Sequence, residues 1–166
     1  MSYVRISQFT QRDEPGAGSE WFTRDGTGEF VRIDRDASGG SLPFEPESRA
    51  LVSWAGCRTR AYGERRNGAI TYLLKYPVPL DYLYEFDAWF HYEHMPILLE
   101  EKTWYGCDFY RSTGISMYTF AAIHHLEPAA LKSAARDRSI STPWWNRLKQ
   151  YAWFDKGFVR AILRRI

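Results

Sequence analysis

The sequence has 166 residues, 45% hydrophobic and 25% charged, with a net charge of +2, which suits one globular unit with room for an added element. So even a balance leaves no concentrated basic surface for a phosphate backbone, and no nucleic-acid partner is expected; Arg160, Arg164 and Arg165 read as part of a solvated strand. No apolar run approaches bilayer length, residues 1–10 lack the apolar segment of a secretory signal, and Cys57 and Cys107 match neither metal nor disulfide spacing, so a soluble cytoplasmic protein with no membrane contact and no metal site is expected.

Residues 1–48 are interrupted by glycines and prolines, among them Gly16, Gly18, Gly39, Gly40, Pro15, Pro43 and Pro46. Two strands are predicted there, over residues 3–9 and 29–34, and the run Arg24-Asp25-Gly26-Thr27-Gly28 predicts a hairpin turn. No strand-to-helix context surrounds these glycines, so they form no dinucleotide-binding loop. Further strands are predicted over 50–62 and 69–76. Asn67-Gly68 between them predicts a tight hairpin, because both residues favour the positive φ that such a turn needs. Pro77 and Pro79 end the second strand.

Over residues 80–102, Leu83, Phe86, Phe90 and Ile97 recur at three- and four-residue steps, which predicts a helix with Asp81 as N-cap and a kink at Pro96. Strands follow over 104–112 and 115–126, joined at Thr113-Gly114. The second is apolar on both faces, which calls for helices on one side and further structure on the other, a second subunit's sheet being one candidate. Residues 128–137 predict a short helix begun by Pro128, and Ser141-Thr142-Pro143 caps another that runs through Trp144 to about Tyr151. Residues 157–166 read as a last strand. The order β-α-β-β-α-β over 67–166 is that of a ferredoxin-like α+β domain, with residues 1–66 as an N-terminal β-rich extension.

The stretch Glu85-Phe86-Asp87-Ala88-Trp89-Phe90-His91-Tyr92-Glu93-His94-Met95-Pro96 resembles the F-x-x-W-Y-x-x-x-H-x-P helix of EthD-like dimeric α/β-barrel proteins. Residues 104–111 resemble that family's second strand, and Thr142-Pro143-Trp144 a late T-P-W element of some members. The resemblance covers roughly residues 69–166. Phe90 stands where many such proteins have tyrosine, and the strand over 50–62 is an addition that must pair elsewhere than beside a central strand already flanked on both edges. The resemblance implies a homodimer, and a substrate held between helices and sheet. It also implies chemistry by histidine, tyrosine or aspartate, with no cofactor.

Three constellations bear on that chemistry. At about 100° per residue around a helix, Asp87 and His94 lie roughly 20° apart and His91 roughly 40° to the other side of Asp87. His94 falls at the edge of the apolar stripe, where a pocket mouth would lie; a carboxylate within a turn or two can orient a histidine that exchanges protons near neutral pH. The alternative is a structural histidine bonded to the backbone near Pro96. His124-His125 end a central strand and face opposite ways, His124 with Tyr118, Phe120 and Ala122, and His125 with Met117 and Ile123. Tyr72 and Tyr118 fall on strands expected to be neighbours, and a phenol can polarise a carbonyl.

Aromatic residues make up 17% of the chain, including seven Trp and eleven Tyr, which fits a pocket for a flat ligand, a large interface or a bulky core. The candidate catalytic residues are therefore His94, Asp87, His91, His124, His125 and Tyr118. The candidate substrate contacts are Tyr72, Tyr92, Phe90, Tyr110, Trp144 and Trp145. The expected function is that of a cofactor-free isomerase, lyase or cyclase acting on a small hydrophobic aromatic or lactone-like carbonyl compound. A cofactor-independent monooxygenase and a non-catalytic binding barrel are the alternatives.

Overall fold

The computed structural model describes residues 2–11, 19–36, 52–66 and 68–166. Eight strands close into one antiparallel barrel: β1 (Tyr3–Phe9), β2 (Ser19–Arg24), β3 (Phe30–Asp36), β4 (Val52–Gly63), β5 (Ile70–Tyr76), β6 (Trp104–Ser112), β7 (Phe120–Leu126) and β8 (Val159–Arg165). Around the barrel the order is β1-β3-β2-β8-β5-β7-β6-β4, and β4 returns to β1. The segment β8-β5-β7-β6 is the ferredoxin-like half-sheet, with the two connections β5 to β6 and β7 to β8 carrying the helices.

The other half of the barrel is built by the first four strands of the same chain. β4 pairs with β6 from Gly56↔Ser112 to Gly63↔Gly106, and β2 pairs with β8 from Phe22↔Arg165 to Arg24↔Leu163. The covering of the second face of β7, for which a partner's sheet was a candidate, is thus supplied within the chain. β2 and β3 meet across the turn read from the sequence, where Gly26 and Gly28 take φ of 82° and 69°.

β4 and β5, which an Asn67-Gly68 hairpin would join, do not pair. β5 has β7 on one edge and β8 on the other, so neither edge is left for β4. β4 instead seals the outer edge of β6. Asn67 and residues 50–51 of the expected strand lie outside the described residues. The second long strand also starts later than expected: residues 113–119 are a loop, and β7 begins at Phe120.

Side chains alternate across β5 and β7, all fourteen residues being buried. Ile70, Tyr72, Leu74 and Tyr76 join Phe120, Ala122 and Leu126 in the layer beneath the helices. Leu73, Ala121 and Ile123 join Val4, Ile33 and Trp54 inside the barrel. Strands buried on both faces need cover on both, and here helices and barrel interior provide it.

The helical layer is more broken than its periodicity suggests. A 3₁₀ turn over Leu80–Tyr82 leads into α1 (Leu83–Trp89), then a π turn over Phe90–His94, then α2 (Met95–Leu98). Asp81 makes no cap; Pro79 and Tyr82 precede the two turns without side-chain bonds. Pro96 lacks an N–H and its ring crowds the carbonyl four residues back, so the ladder opens just before it. The second connection carries a 3₁₀ turn over Pro128–Lys132, then α3 (Ala134–Ser139), α4 (Pro143–Leu148) and α5 (Ala152–Asp155). Ser133 and Thr142 cap α3 and α4, accepting from the backbone N–H of Arg136 and Trp145.

Candidate active site

Between the helical layer and the half-sheet lies a cavity of about 150 Å³. Tyr72 and Tyr76 of β5 form its floor with His124 of β7, and Leu98, Trp104 and Trp145 close around it. His94 enters from the π turn, and Arg136 and Arg160 stand in its lining as the charged groups. A space of this size takes about one benzene ring.

The π turn decides which face His94 presents. Its longer hydrogen-bonded loops advance the chain fewer degrees per residue than an α-helix does. His94 therefore leaves the stripe it would share with Asp87 and packs into the core, its ring centroid 4.5 Å from that of Trp89 and 5.5 Å from that of Phe90. Phe90 backs the site, fully buried and stacked on Phe109 at 4.3 Å. Glu93 accepts a 2.6 Å bond from the Thr142 hydroxyl, the same hydroxyl that caps α4. That link fixes the start of α4, and with it Trp145, whose ring lies parallel to His94 at 6.2 Å.

The two histidines differ chemically. His124 is wholly buried; its Nδ1 accepts from Trp104 Nε1 at 3.1 Å, and its Nε2 faces Cys107 Sγ at 3.8 Å. An indole only donates, so Nδ1 is unprotonated and the neutral ring carries its proton on Nε2. Burial, then the neighbouring His94 and His125, hold its pKa well below the ordinary value. His94 is pushed down to about 3, chiefly by burial, with Arg136 adding to the effect and the Ser139 backbone opposing it. Nδ1 of His94 is buried without a hydrogen bond of ordinary geometry among the described residues. The site thus holds one neutral imidazole locked as a donor by Trp104 and a second neutral imidazole whose neighbour of note is the Ser139 backbone.

The remaining candidates stand elsewhere. Asp87 pairs with Arg60 at 3.1 Å and His91 Nδ1 lies 3.3 Å from the Tyr62 hydroxyl, both on the outer side facing β4, because the π turn separates them from His94. Tyr92 is 72% exposed beside His91 and reaches no cavity. Tyr110 points into the barrel interior, since its strand neighbour Phe109 takes the helix side. Tyr118 precedes β7 and packs at the barrel end under Lys75 Nζ, 5.0 Å from its ring, so it is not on the His124 face. His125 turns inward to Asp108, 3.7 Å away, where Arg58 and Arg65 also stand. Burial raises the Asp108 pKa, but His125, Arg65 and Arg58, with Arg35, outweigh it and hold the carboxyl below its usual range. Trp144 is half-buried with Arg147 over its ring and does not line the cavity. Leu98, Trp104, Arg136 and Arg160 were not among the candidates; the pairing of β6 with β7 places Trp104 near His124, a proximity visible only once that register is known.

Among the described residues no group of three or more His, Cys, Asp or Glu side chains stands close enough to hold a metal ion, and no helix is long and apolar enough to cross a membrane.

No family model matches the chain, and no curated protein matches its sequence. Solved structures do match in shape. A monooxygenase-like protein from Listeria innocua aligns with TM-score 0.68 at 9% identity, over 100% of this chain and 94% of that one. An uncharacterized ferredoxin-fold protein from Listeria monocytogenes, related to antibiotic biosynthesis monooxygenases, aligns with TM-score 0.65 at 10% identity, over 100% of this chain and 95% of that one. A heme-degrading enzyme from Listeria monocytogenes aligns with TM-score 0.57 at 7% identity, over 98% of both. At such identities the likeness shows the fold: this is a ferredoxin-like α+β protein. The alignments span the whole chain, so β1 to β4, which lie outside the stretch that resembles EthD-like proteins, are part of that shared fold.

Proposed function

We propose that this protein is an enzyme that draws a proton from a small one-ring carbonyl or phenolic compound held in the cavity, with the neutral imidazole of His94 as the base. The observation that carries this reading is an apolar, ring-sized cavity with a buried histidine, held neutral by that burial, in its lining. The proton would pass to His94 and the electron pair would stay on the substrate as an enolate or phenolate. A lone imidazolium is costly in this setting, as the depressed pKa records. It forms only together with the anion beside it, and the two guanidinium groups of Arg136 and Arg160 favour that anion. Return of the proton to another carbon gives an isomerase; loss of a leaving group gives a lyase. This reading agrees with the resemblance of residues 85–96 to EthD-like proteins.

A second reading shares the first step. The substrate anion would react with dioxygen, one oxygen atom entering the ring and the other leaving as water; the substrate itself supplies the two electrons and two protons, so a phenol leaves as its quinone, as in a cofactor-independent monooxygenase. The fold likeness to monooxygenase-like structures favours it.

The test is a panel of one-ring phenols, β-keto esters and lactones incubated with the protein in deuterated water, with exchange followed by NMR and oxygen uptake by electrode. Exchange is expected to fall about 10²–10⁴-fold in His94→Phe, the usual contribution of a general base. Equal exchange in a folded His94→Phe variant removes His94 from the chemistry. Oxygen uptake with the same compounds selects the second reading.

A further inference from the structure

The cavity does not end at its aromatic walls. A second, more open space of about 410 Å³ adjoins it, reaching the β2–β3 turn at Asp25 and Thr27 and the 3₁₀ turn at Leu131. Tyr72, Arg136 and Arg160 line both spaces, so the two meet at these three side chains. The inner space is lined mainly by aromatic and aliphatic groups, whereas the outer one adds Arg24 and Asp25 to Arg136 and Arg160 beside Leu131, Ala161 and Ile162.

The charges of the outer space divide unevenly. Arg24 is neutralised by Glu29 at 2.8 Å, and Asp25 is taken up by Arg164 through bonds of 2.9 and 3.1 Å. Arg136 and Arg160 form no ion pair among the described residues. Arg160 is exposed, its guanidinium resting 5.9 Å from the Phe158 ring centroid, while Arg136 is half-buried in α3. The charge of Arg136 reaches the inner cavity, where it adds to the burial that disfavours protonation of His94. Two cations without carboxylate partners at the junction of an apolar and a polar space are matched by a ligand with an apolar end and an anionic end. Guanidinium groups fit the paired oxygens of a carboxylate or a phosphate.

We infer that the site binds single-ring compounds carrying an anionic oxygen group, the ring in the inner cavity and the anion between Arg136 and Arg160. This rests on the reading of the cavity as a substrate site, and it names the substrate class.

The test is calorimetric binding of 3-phenylpropionate, 3-phenylpropanol and 3-phenylpropyl phosphate to the full chain. The carboxylate or the phosphate is expected to bind at least about tenfold tighter than the alcohol, and that preference should shrink as salt rises. Which of the two anions binds better identifies the natural group. Arg160→Met, at an exposed strand position, should cut the preference several-fold by weakening the anions far more than the alcohol; Arg136→Met should act in the same way. Equal affinity for all three compounds, no binding of any at millimolar concentration, or a preference that survives both substitutions would overturn the inference. Binding is read without turnover. Preferential anion binding with no proton exchange on any compound therefore sinks the catalytic reading and upholds this one.

Discussion

The indole Nε1–H of Trp104 donates to Nδ1 of His124 at 3.1 Å, and both side chains are buried. This pair fixes the tautomer of His124 and removes it as a base, since its one unprotonated nitrogen is already occupied. Nitrogen NMR of the ring is expected to show a single neutral tautomer, protonated on Nε2, from pH 5 to pH 8. Trp104→Phe strands a buried acceptor and should cost about 1–3 kcal/mol of stability while letting a second tautomer appear. An Nδ1-protonated ring in the wild type would contradict the assignment.

Both cavity histidines make the fold acid-sensitive. Their pKa values in the folded chain lie below the ordinary value, His94 at about 3. Below about pH 6.5 the unfolded chain takes up these protons while the folded chain does not, so stability falls as pH falls. The contribution is fully present above about 6.5 and declines toward 3, at about 1.4 kcal/mol per pH unit for each histidine still neutral when folded. Between pH 6.5 and pH 5, His94 alone should account for about 2 kcal/mol. Urea unfolding at several pH values measures this, and His94→Phe should flatten the slope. For the same reason, no step in activity between pH 5 and pH 8 should trace to His94 in the free protein.

Much of this was legible in the sequence, and the failures share a cause. The β-α-β-β-α-β order, the Gly26–Gly28 turn and the Thr142 cap are local signals, and they appear where the pattern puts them. The Asn67-Gly68 signal is equally local, but it loses to long-range pairing that fills both edges of β5. Closure of the barrel by β4 and β6 rests on residues about fifty positions apart, which periodicity cannot see. The site was half legible. His94, His124, Tyr72 and Trp145 were singled out and meet at one cavity. Asp87 and His91 were grouped with His94 by an ideal helical wheel that the π turn breaks. Arg136 carries no pattern of its own, and Arg160 read only as part of a solvated basic strand; what marks both is the lack of an ion pair among the described residues.

The Thr142 hydroxyl holds two elements at once, accepting from Trp145 N at 3.0 Å and donating to Glu93 at 2.6 Å. Thr142→Val keeps the shape and loses both bonds, at a cost of about 1–2 kcal/mol, the usual range for a lost cap. Because Trp145 faces His94, the loss should also weaken ring binding in the cavity, which calorimetry with 3-phenylpropionate detects. Thr142→Ser should restore both properties. Full stability and affinity in Thr142→Val would show that the link does not position Trp145.

The seam between β4 and β6 closes the barrel, and Gly106 is one of its tight points. It pairs with Gly63 across the seam and with His125 on the other side, next to a register shift between Trp104 and Gly106. A Cβ there would lie 2.5 Å from the Tyr62 carbonyl oxygen and 2.7 Å from that of Glu64. Both obstacles are backbone, and Glu64 is pinned by its own N–H to Tyr105 O at 2.9 Å, so the strand cannot move aside without losing a ladder bond. Gly106→Ala is therefore expected to cost at least about 2 kcal/mol, in the range of overpacked sites. For a chain of this size that lowers Tm by about 4–8 °C. Amide exchange should quicken most in β4 and β6, where the seam opens, and least in β5, which keeps both neighbours. A variant as stable as the wild type, or one whose exchange rises uniformly, would show that closure does not depend on this contact.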